Sequence, residues 1–412
     1  MLEQFIKNRI IANLSFVPNE GQHELLDKLS RFVVSSDRQK AFILLGYAGT
    51  GKTSIIAALV QAYKELQQKI VLLAPTGRAA KVISRYASTP AYTIHKYIYR
   101  QKQLGEAVFT LNDNLHKNTL FIVDEASMIS GVRDNTMFGS GTLLDDLVKY
   151  VYSGEGCSML LLGDDAQLPP VGSLISPALQ SDYMQKYGLN VTCSILTEVA
   201  RQAMDSGILR NASKIRPVAL GKGQIPHSTW DLLEESSDFI HITGAEVSEK
   251  LEQSYNEVGV EEVMLLTRTN KRTNIYNQGI RTRILWREEE IETGDRLMVS
   301  KNNYFWTEKY DGLPFLANGD ILEIKRLRNV RELYGFRFAD AQLRSLDYDW
   351  EIDAVVWLDT IYSDSPEANN ELHKQLFEHI AEDYPELAKS KKKLIETIYQ
   401  SPYYNALQVR FA

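Results

Sequence analysis

The sequence has few cysteines and no long apolar segment. Its 412 residues include only Cys157 and Cys193, without a Cys-x-x-Cys pair or a Cys/His cluster. This scarcity argues against a disulfide framework or a structural zinc site and favours a reducing compartment. No stretch approaches the ~18–20 uncharged apolar residues of a membrane span, and residues 1–14 lack the continuous apolar core of a signal peptide. We therefore expect a soluble, cytoplasmic protein that does not enter a membrane.

A large excess of charge of one sign is also missing. The 46 Lys and Arg residues against 53 Asp and Glu residues give a net charge of −7. This balance excludes a histone-like polycation, but it allows a local basic groove for nucleic acid. Hydrophobic residues make up 44% of the chain and charged residues 24%, which argues against wholesale disorder. At about 150 residues per domain, the length predicts two to four domains.

The first half of the chain alternates short apolar runs with amphipathic helical stretches, a pattern typical of a parallel α/β domain. Central parallel strands are near-continuous apolar runs, and such runs occur at 41–45, 70–74, 120–123 and 159–162. Asn19 followed by Gln22 predicts a capping box ahead of a helix. The segments 97–101 and 107–111 predict a β-hairpin inserted into this domain.

The second half of the chain has a different texture. A second α/β block is predicted from about residue 189, with a strand at 263–267 and a helix at 270–284. From 293 to 359 the pattern becomes β, with strands predicted at 296–299, 321–326, 334–338 and 354–358. A helix is predicted to begin at Pro366, because proline is favoured at the first helical position.

Residues 46–53, GYAGTGKT, match the pattern G-x-x-x-x-G-K-[ST] between a predicted strand and a predicted helix. The glycines let backbone N–H groups surround the β-phosphate, and the helix start adds a favourable dipole. Lys52 can neutralise the β- and γ-phosphate oxygens, and Thr53 can ligate Mg²⁺. A chance glycine-rich turn is the alternative, but this context favours nucleoside triphosphate binding.

Polar segments follow three later apolar runs. Asp124 and Glu125 end the run 120–123, where one acid can contact Mg²⁺ and the other can deprotonate water; a plain acidic turn is the alternative. In residues 163–171, GDDAQLPPV, a loop stiffened by two prolines could place Gln167 against a γ-phosphate, although the segment is equally typical of a turn. In residues 196–202, LTEVARQ, Arg201 could stabilise transition-state charge, although a lone arginine usually lies on a solvated face.

The sequence resembles the superfamily 1 DNA helicases of the RecD/Dda branch. Four motifs in the same order carry this resemblance: the P-loop, Asp-Glu-Ala-Ser, GDDAQLPPV and LTEVARQ. The resemblance begins near Pro18, and the third motif is its most specific element. It implies an α/β P-loop NTPase with two RecA-like parallel-sheet domains, an inserted β-hairpin and an SH3-like β subdomain. The first RecA-like domain is expected at 1–188, with its hairpin at about 96–115, and the first part of the second RecA-like domain at 189–292. The SH3-like subdomain is expected at 293–360. Residues 361–412 are expected to form a helical segment and the start of the return to the second RecA-like domain.

The resemblance also implies ATP and Mg²⁺ as cofactors and gives roles to individual residues. The implied nucleotide contacts are Gln22, on the adenine, and Gly46, Ala48, Gly49, Thr50, Gly51, Lys52 and Thr53. Asp124 joins Thr53 at the Mg²⁺, and Glu125 is the catalytic base. Gln167 senses the γ-phosphate, and Arg201 reaches it from the second RecA-like domain.

Single-stranded DNA and forked duplex DNA are the implied partners of a monomer that moves 5′ to 3′. Implied DNA contacts are Pro75, Thr76, Arg78, Thr93, His95, Tyr99 and Phe109. A Thr hydroxyl and N–H groups at a helix start suit phosphates, and the two hairpin aromatics could stack on a base. Two alternatives stay open: His95 as a hydrogen-bonded structural histidine, and hairpin aromatics that pack against the parent domain.

Two motifs of the family are missing, a Thr-x-His-Lys-x-Gln-Gly segment and a Thr-Arg segment that gives a second arginine to the γ-phosphate. Residues 407–412, LQVRFA, are expected to be the strand that leads into them. An arginine finger is worth about 10³–10⁵ in rate, so we expect residues 1–412 to bind nucleotide but to hydrolyse it slowly. Two other functions stay open: a regulatory or nuclease-coupled P-loop ATPase without translocation, and a nucleotide-gated DNA-binding protein.

Overall fold

A computed structural model gives the fold of the protein. It describes all residues except 48, 102–108, 134–138, 171, 199–205, 222–232, 308, 311–314, 317, 347–349, 364–365 and 388–389, and it leaves out the side chains of 101, 109 and 366–370. The chain divides into two units, Met1–His241 and Ile242–Ala412.

The first unit alternates helices and strands. Its helices are α1 (Leu2–Ala12), α2 (Glu20–Val34), α3 (Lys52–Glu65), α4 (Gly77–Ala87), α5 (Ile94–Ile98), α6 (Leu143–Ser153), α7 (Ser181–Gln185) and α8 (Gly207–Ala219). Its strands are β1 (Lys40–Gly46), β2 (Lys69–Ala74), β3 (Ala91–Thr93), β4 (Tyr99–Gln101), β5 (Phe109–Leu111), β6 (Thr119–Val123), β7 (Ser158–Gly163) and β8 (Asn190–Leu196). The capping box predicted at the start of α2 is confirmed, with Asn19 and Gln22 bonded to each other's backbone.

Six of these strands form one parallel sheet in the order β3-β2-β6-β7-β1-β8. Both faces of the sheet are covered. Ile43 of β1 packs into one hydrophobic cluster with Val123, whereas its neighbours Phe42 and Leu44 pack into a second cluster with Ile55 of α3. Alternate side chains of a strand point to opposite faces, so two covered faces explain the continuous apolar runs in the sequence. The α/β P-loop NTPase fold is confirmed.

Strand β8 completes this sheet, whereas the sequence placed residue 189 at the start of the second RecA-like domain. Cys193 pairs in parallel with Ile43, and the pairing runs along the whole of β1. As an edge strand, β8 is only partly buried, so it lacks the continuous apolar run of a central strand. Because β1 and β8 lie far apart in the chain, local sequence patterns do not predict that they pair. The predicted boundary at 188 is therefore wrong at this strand.

The predicted hairpin is present in the first unit. Strands β4 and β5 pair antiparallel, with Tyr99 opposite Leu111. The hairpin follows α5 and precedes β6 in the chain, which is the position that the apolar pattern predicted. Residues 102–108, which connect the two strands, lie outside the description.

The second unit is built around a closed barrel of five strands. Its helices are α9 (Val247–Val258), α10 (Asn270–Gly279), α11 (Pro366–Glu382) and α12 (Lys391–Tyr399), and its strands are β9 (Arg296–Val299), β10 (Ile321–Leu333), β11 (Phe336–Ser345), β12 (Glu351–Trp357) and β13 (Leu407–Phe411). A π-helical turn at Ile280–Ile284 continues α10, so the helix predicted at 270–284 is confirmed. The strand predicted at 263–267 is wrong, because those residues have no regular structure.

Strand β13 closes the barrel, which has the order β10-β11-β12-β13-β9. Val409 pairs antiparallel with Val299 of β9, and Leu407 pairs parallel with Val356 of β12. All four of these residues are fully buried in the barrel core. The strand predicted at residues 407–412 is therefore present as a barrel strand, and its place as the start of the return to the second RecA-like domain stays a prediction. All strands that the structure describes in the second unit belong to the barrel, so the expected second RecA-like sheet is not among the described residues.

The helices of both units are short or amphipathic. The longest that the structure describes, α11, has 17 residues. Within the described ranges, none combines the length and the apolar content that crossing a bilayer requires.

Candidate functional site

The glycine-rich loop after β1 has the geometry of a phosphate cradle. Gly49 and Gly51 have φ angles of 75° and 85°, in the left-handed region that glycine enters without steric cost. Gly51 also caps the N-terminus of α3, so the first free N–H groups of this helix lie at the loop. Such an arrangement favours a bound anion. Ala48, also predicted to contact nucleotide, lies outside the described residues.

Lys52 is the first residue of α3 and folds back over the loop. Its ammonium donates hydrogen bonds to the carbonyls of Gly46 (2.6 Å) and Tyr47 (2.9 Å). A Cβ at Gly46 would lie 2.9 Å from the Lys52 side chain, so a larger residue there would displace the lysine. Burial lowers the pKa of Lys52, and the nearby carboxylates, Asp164 foremost, oppose that shift. The structure thus holds one cation directly over the loop.

Gln22 supports this loop from α2. Its side-chain nitrogen donates to the Thr50 carbonyl (2.9 Å), and its side-chain oxygen accepts from the Asn19 N–H (3.0 Å). The residue is buried, and a Cβ at Gly51 would lie 2.8 Å from its amide nitrogen. Gln22 therefore contacts the P-loop backbone, while its contact with adenine stays a prediction.

Asp124 and Glu125 follow β6, two strands away from β1 in the sheet. The Asp124 carboxylate accepts a hydrogen bond from the Glu125 N–H (2.9 Å). Glu125 has a φ of 50°, an uncommon conformation for a residue other than glycine, and residues held in this way concentrate at functional sites. Burial raises the pKa of both carboxyl groups, and for Glu125 the charge of Asp124 adds to it.

The loop after β7 carries Asp164 and Gln167. The Asp164 carboxylate accepts from the Ala166 N–H (3.0 Å), and its carbonyl accepts from the Gln167 N–H (3.1 Å), so the loop turns sharply at the strand end. Gly163 fits here because a Cβ would lie 2.6 Å from Leu179. The Gln167 side chain is exposed.

A cleft of about 320 Å³ joins these elements. Its lining comprises Tyr47, Gly49, Thr50, Gly51, Lys52, Thr53, Ser54, Val82, Tyr86, Asp124, Glu125, Gly163, Asp164 and Gln167. The structure thus brings together the predicted phosphate, metal and catalytic residues. Gln22 and Gly46 lie behind the loop instead of on the cleft wall, and Arg201 lies outside the described residues.

The residues at the cleft fit a magnesium ion that arrives with a nucleotide. The Thr53 hydroxyl and the Asp124 carboxylate both line it and are oxygen donors of the kind Mg²⁺ prefers. Within the described ranges, no group of three or more His, Cys, Asp or Glu residues could hold a metal alone. Magnesium typically uses one or two protein oxygens plus phosphate and water, so this donor set suits it.

Arg216, on α8, is a site residue that the sequence analysis missed. Its guanidinium donates to both oxygens of Asp164 (2.5 and 3.0 Å) and to Asp165 (2.6 Å), and it lies 3.6 Å from the centre of the Tyr47 ring. No motif marks Arg216, because these contacts join residues that are distant in the chain. Only its place on a helix shortly after LTEVARQ could have suggested it.

The predicted DNA contacts Thr76 and Thr93 lie at the ends of two neighbouring strands, Thr76 just after β2 and Thr93 as the last residue of β3. Strands β2 and β3 are parallel neighbours, with Ala74 opposite Thr93. Each threonine caps the helix that follows: Thr76 accepts from the Ala79 N–H (3.2 Å), and Thr93 accepts from the Lys96 N–H (3.3 Å). Pro75 precedes the first cap and Arg78 is exposed just after it.

The structure buries two of the predicted DNA contacts, Thr93, which is 2% exposed, and Tyr99. The Tyr99 ring is only 7% exposed, and its hydroxyl donates to Asp146 (2.7 Å), so it packs against the parent domain and is not available to stack on a base. His95 is half-buried with its ring 5.8 Å from that of Tyr99, and burial lowers its pKa. The side chain of Phe109 lies outside the description.

Residues 18–241, more than half of the chain, match the family described as AAA domain. The RecD2 DNA helicase of Deinococcus radiodurans is 28% identical over 47% of this chain and 23% of its own length. The Dda DNA helicase of phage T4 is 24% identical over 74% of this chain and 66% of its own length. The uncharacterized protein MJ1519 of Methanocaldococcus jannaschii is 33% identical over 38% of this chain and 14% of its own length. The chain thus spans less than a quarter of two of these relatives.

A solved structure of the Pif1 helicase from Bacteroides, in complex with ADP-AlF3 and single-stranded DNA, aligns with a TM-score of 0.41 and 16% identity, over 82% of this chain and 74% of that chain. The family match covers the whole nucleotide cleft, from the support under the P-loop to the loop that carries Gln167. The chain therefore belongs to the AAA domain family, and its resemblance to the superfamily 1 helicases of the RecD/Dda branch is confirmed.

Proposed function

We propose that this chain is the motor of a DNA helicase. It hydrolyses ATP with Mg²⁺, moves along single-stranded DNA from 5′ to 3′, and unwinds forked duplex DNA as a cytoplasmic monomer. The observation that carries the proposal is the single cleft that joins Lys52, Glu125 and Gln167. Two relatives, RecD2 and Dda, are ATP-dependent DNA helicases.

Each element of phosphoryl transfer has a proposed residue. The P-loop N–H groups and Lys52 bind the β- and γ-phosphates, and Thr53 with Asp124 holds the Mg²⁺, which offsets phosphate charge. Glu125, whose pKa is raised by burial, takes the proton of the attacking water. Gln167 senses the γ-phosphate, and Arg201 supplies the positive charge that stabilises the transition state.

The DNA strand lies across the sheet edge where α4 and α5 begin. Thr76 and Thr93 cap the two helices there, and N–H groups at helix starts bind phosphate oxygens. Arg78 adds an exposed positive charge at the same edge. Because β2 and β6 pair along their length, the DNA edge and the Asp124 strand end belong to one rigid sheet.

The test is the ATPase rate of residues 1–412 with and without single-stranded DNA. DNA should stimulate hydrolysis, although the rate should stay low because the second arginine motif is missing. Glu125→Gln should lower this turnover further, by about 100-fold, while nucleotide still binds. Glu155→Gln is the matched control, because Glu155 is an exposed glutamate paired with Lys117. Forked DNA with a 5′ or a 3′ tail then tests the direction of unwinding.

Two outcomes would favour the competing functions. Hydrolysis that DNA does not stimulate would indicate a regulatory or nuclease-coupled ATPase. DNA affinity that depends on ATP, with function intact in Glu125→Gln, would indicate a nucleotide-gated binding protein. Unwinding only from a 3′ tail would contradict the proposed direction.

A further inference from the structure

The guanidinium of Arg216 connects two loops of the nucleotide cleft. One face lies against the ring of Tyr47, in the P-loop, at 3.6 Å from its centre. The two terminal nitrogens donate to Asp164 and Asp165, in the loop after β7. Planar, two-point pairing of this kind fixes both distance and orientation. Arg216 thus ties the loop that carries Lys52 to the loop that carries Gln167.

The contact is buried. The side chain of Arg216 is 12% exposed and that of Asp164 is 7% exposed. The third guanidinium nitrogen, Nε, is buried and has no hydrogen-bond partner among the described residues. A buried arginine fork is well defined in geometry and loses much of its binding energy when either partner is removed. Such a contact is unlike a solvated surface ion pair, which contributes little.

The charges around the cleft explain why this cation is needed. The lining carries Asp124, Glu125 and Asp164 against Lys52, and Asp164 has the largest effect on Lys52 among these carboxylates. Without a partner, Asp164 would compete with a phosphate for the Lys52 ammonium and would repel incoming phosphates. With Arg216 bound to it, its charge is compensated within the wall of the cleft.

We propose that Arg216 is a positioning residue of the nucleotide site, which neutralises Asp164 and Asp165 and so leaves Lys52 to the phosphates of a bound nucleoside triphosphate. This inference rests on the proposed ATP site and adds a residue to it. Arg216 acts through Asp164 and Tyr47 and does not itself contact the phosphates. Its charge and its fork geometry are both required.

The experiment measures the Kd of residues 1–412 for a fluorescent ATP analogue with Mg²⁺, together with the KM and kcat of ATP hydrolysis. Arg216→Gln should raise Kd and KM about tenfold, because it leaves a buried carboxylate unpaired. Arg216→Lys should raise Kd and KM about threefold, because lysine keeps the positive charge but cannot make the planar, two-point contact of arginine. Lys214→Gln is the control on the same helix; Lys214 pairs with Glu234, and its variant should match the wild type.

A double variant separates charge compensation from a direct phosphate contact. Asp164→Asn combined with Arg216→Gln removes the buried carboxylate charge together with the arginine that compensates it, so the Kd should return to within about threefold of the wild type. A double variant as weak as Arg216→Gln alone would overturn the proposal in favour of a direct contact with phosphate. Wild-type affinity in Arg216→Gln would also overturn it.

Folding and the underlying site are tested in the same series. The Tm of each variant is measured, and if Arg216→Gln does not fold, an unchanged Kd in Arg216→Lys overturns the proposal. Lys52→Ala should abolish nucleotide binding. A wild-type chain that does not bind ATP would refute the proposed function itself, whereas normal wild-type binding with an unaffected Arg216→Gln refutes only the role of Arg216.

Discussion

The side-chain amide of Gln22 donates a 2.9 Å hydrogen bond to the backbone carbonyl of Thr50. One residue therefore completes the capping box of α2 and holds the backbone of the P-loop. Because the amide is buried, no water can replace this bond without a rearrangement. The position of the phosphate cradle thus depends on a helix that precedes both the loop and the strand β1 before it.

We expect Gln22→Glu to weaken nucleotide binding. The carboxylate keeps the bond from Asn19 but sets a second acceptor against the Thr50 carbonyl, and a buried polar group without a partner costs about 1–3 kcal/mol. Distortion of the loop and the added negative charge should both raise the Kd for ATP with Mg²⁺. Equilibrium binding and urea unfolding measure the two effects separately.

Gln61→Glu is the matched control for this variant. The Gln61 amide donates to the Ala87 carbonyl (2.7 Å), so the same chemical change creates the same conflict between α3 and the end of α4. It should lower stability by a similar amount and leave ATP affinity unchanged. Equal ATP affinities for the two variants would contradict a role of Gln22 in holding the P-loop.

The sequence predicted the parts of the fold that short segments encode. The P-loop, the Asp124-Glu125 pair and the capping box each lie within a few residues of chain, and the central strands are continuous apolar runs because both faces of the sheet are covered. The position of these motifs at strand ends followed from that pattern, since parallel strands present their carboxyl ends at one edge.

The features that the sequence could not predict depend on distant pairings. Strand β8 pairs with β1 although six other strands of the first unit lie between them in the chain. Strand β13, at the end of the chain, closes a barrel by pairing with β9, its first strand. Arg216 likewise meets Asp164 from a separate helix. Nothing in the immediate neighbourhood of any of these segments specifies its partner, because each contact depends on the assembled fold.

We expect Tyr99→Phe to lower stability without changing DNA affinity. The variant keeps the buried ring but removes the hydroxyl that donates to Asp146, which should cost about 1–2 kcal/mol in the free energy of unfolding. Tyr86→Phe, at a tyrosine that is 63% exposed, should leave stability unchanged. Urea unfolding and single-stranded DNA titration measure the two properties. A large loss of DNA affinity at normal stability would restore a stacking role for Tyr99.

We expect Arg78→Ala to weaken binding to single-stranded DNA regardless of its sequence. Arg78 is exposed in the first turn of α4, beside the Thr76 cap, where it can neutralise one phosphate. Loss of one such contact should lower the slope of log Kd against log salt by about 0.7. Arg85→Ala is the control, because Arg85 is exposed about 10 Å further along the same helix. Identical salt slopes for the two variants would contradict the proposed DNA edge.

His373, on α11, makes the second unit sensitive to acid. Its Nε2 lies 3.1 Å from the Tyr404 carbonyl, to which it donates, and its ring lies 6.1 Å from that of Trp357. Burial, with a smaller effect from the charge of Lys301, lowers the pKa of His373 from 6.5 to about 4. The unfolded chain therefore binds a proton more tightly than the folded chain between these values. Stability should fall as the pH decreases from 6.5 to 4, by at most about 3 kcal/mol.

We expect His373→Gln to remove this part of the pH dependence, because glutamine can donate to the same carbonyl but does not titrate. Urea unfolding followed by tryptophan fluorescence at pH 7 and pH 4.5 provides the measurement, with Trp357 beside the site as reporter. His379→Gln is the control on the same helix, because His379 is exposed, and this variant should lose stability with acid as the wild type does. If His373→Gln and the wild type lose equal stability between the two pH values, His373 is not the acid-sensitive group.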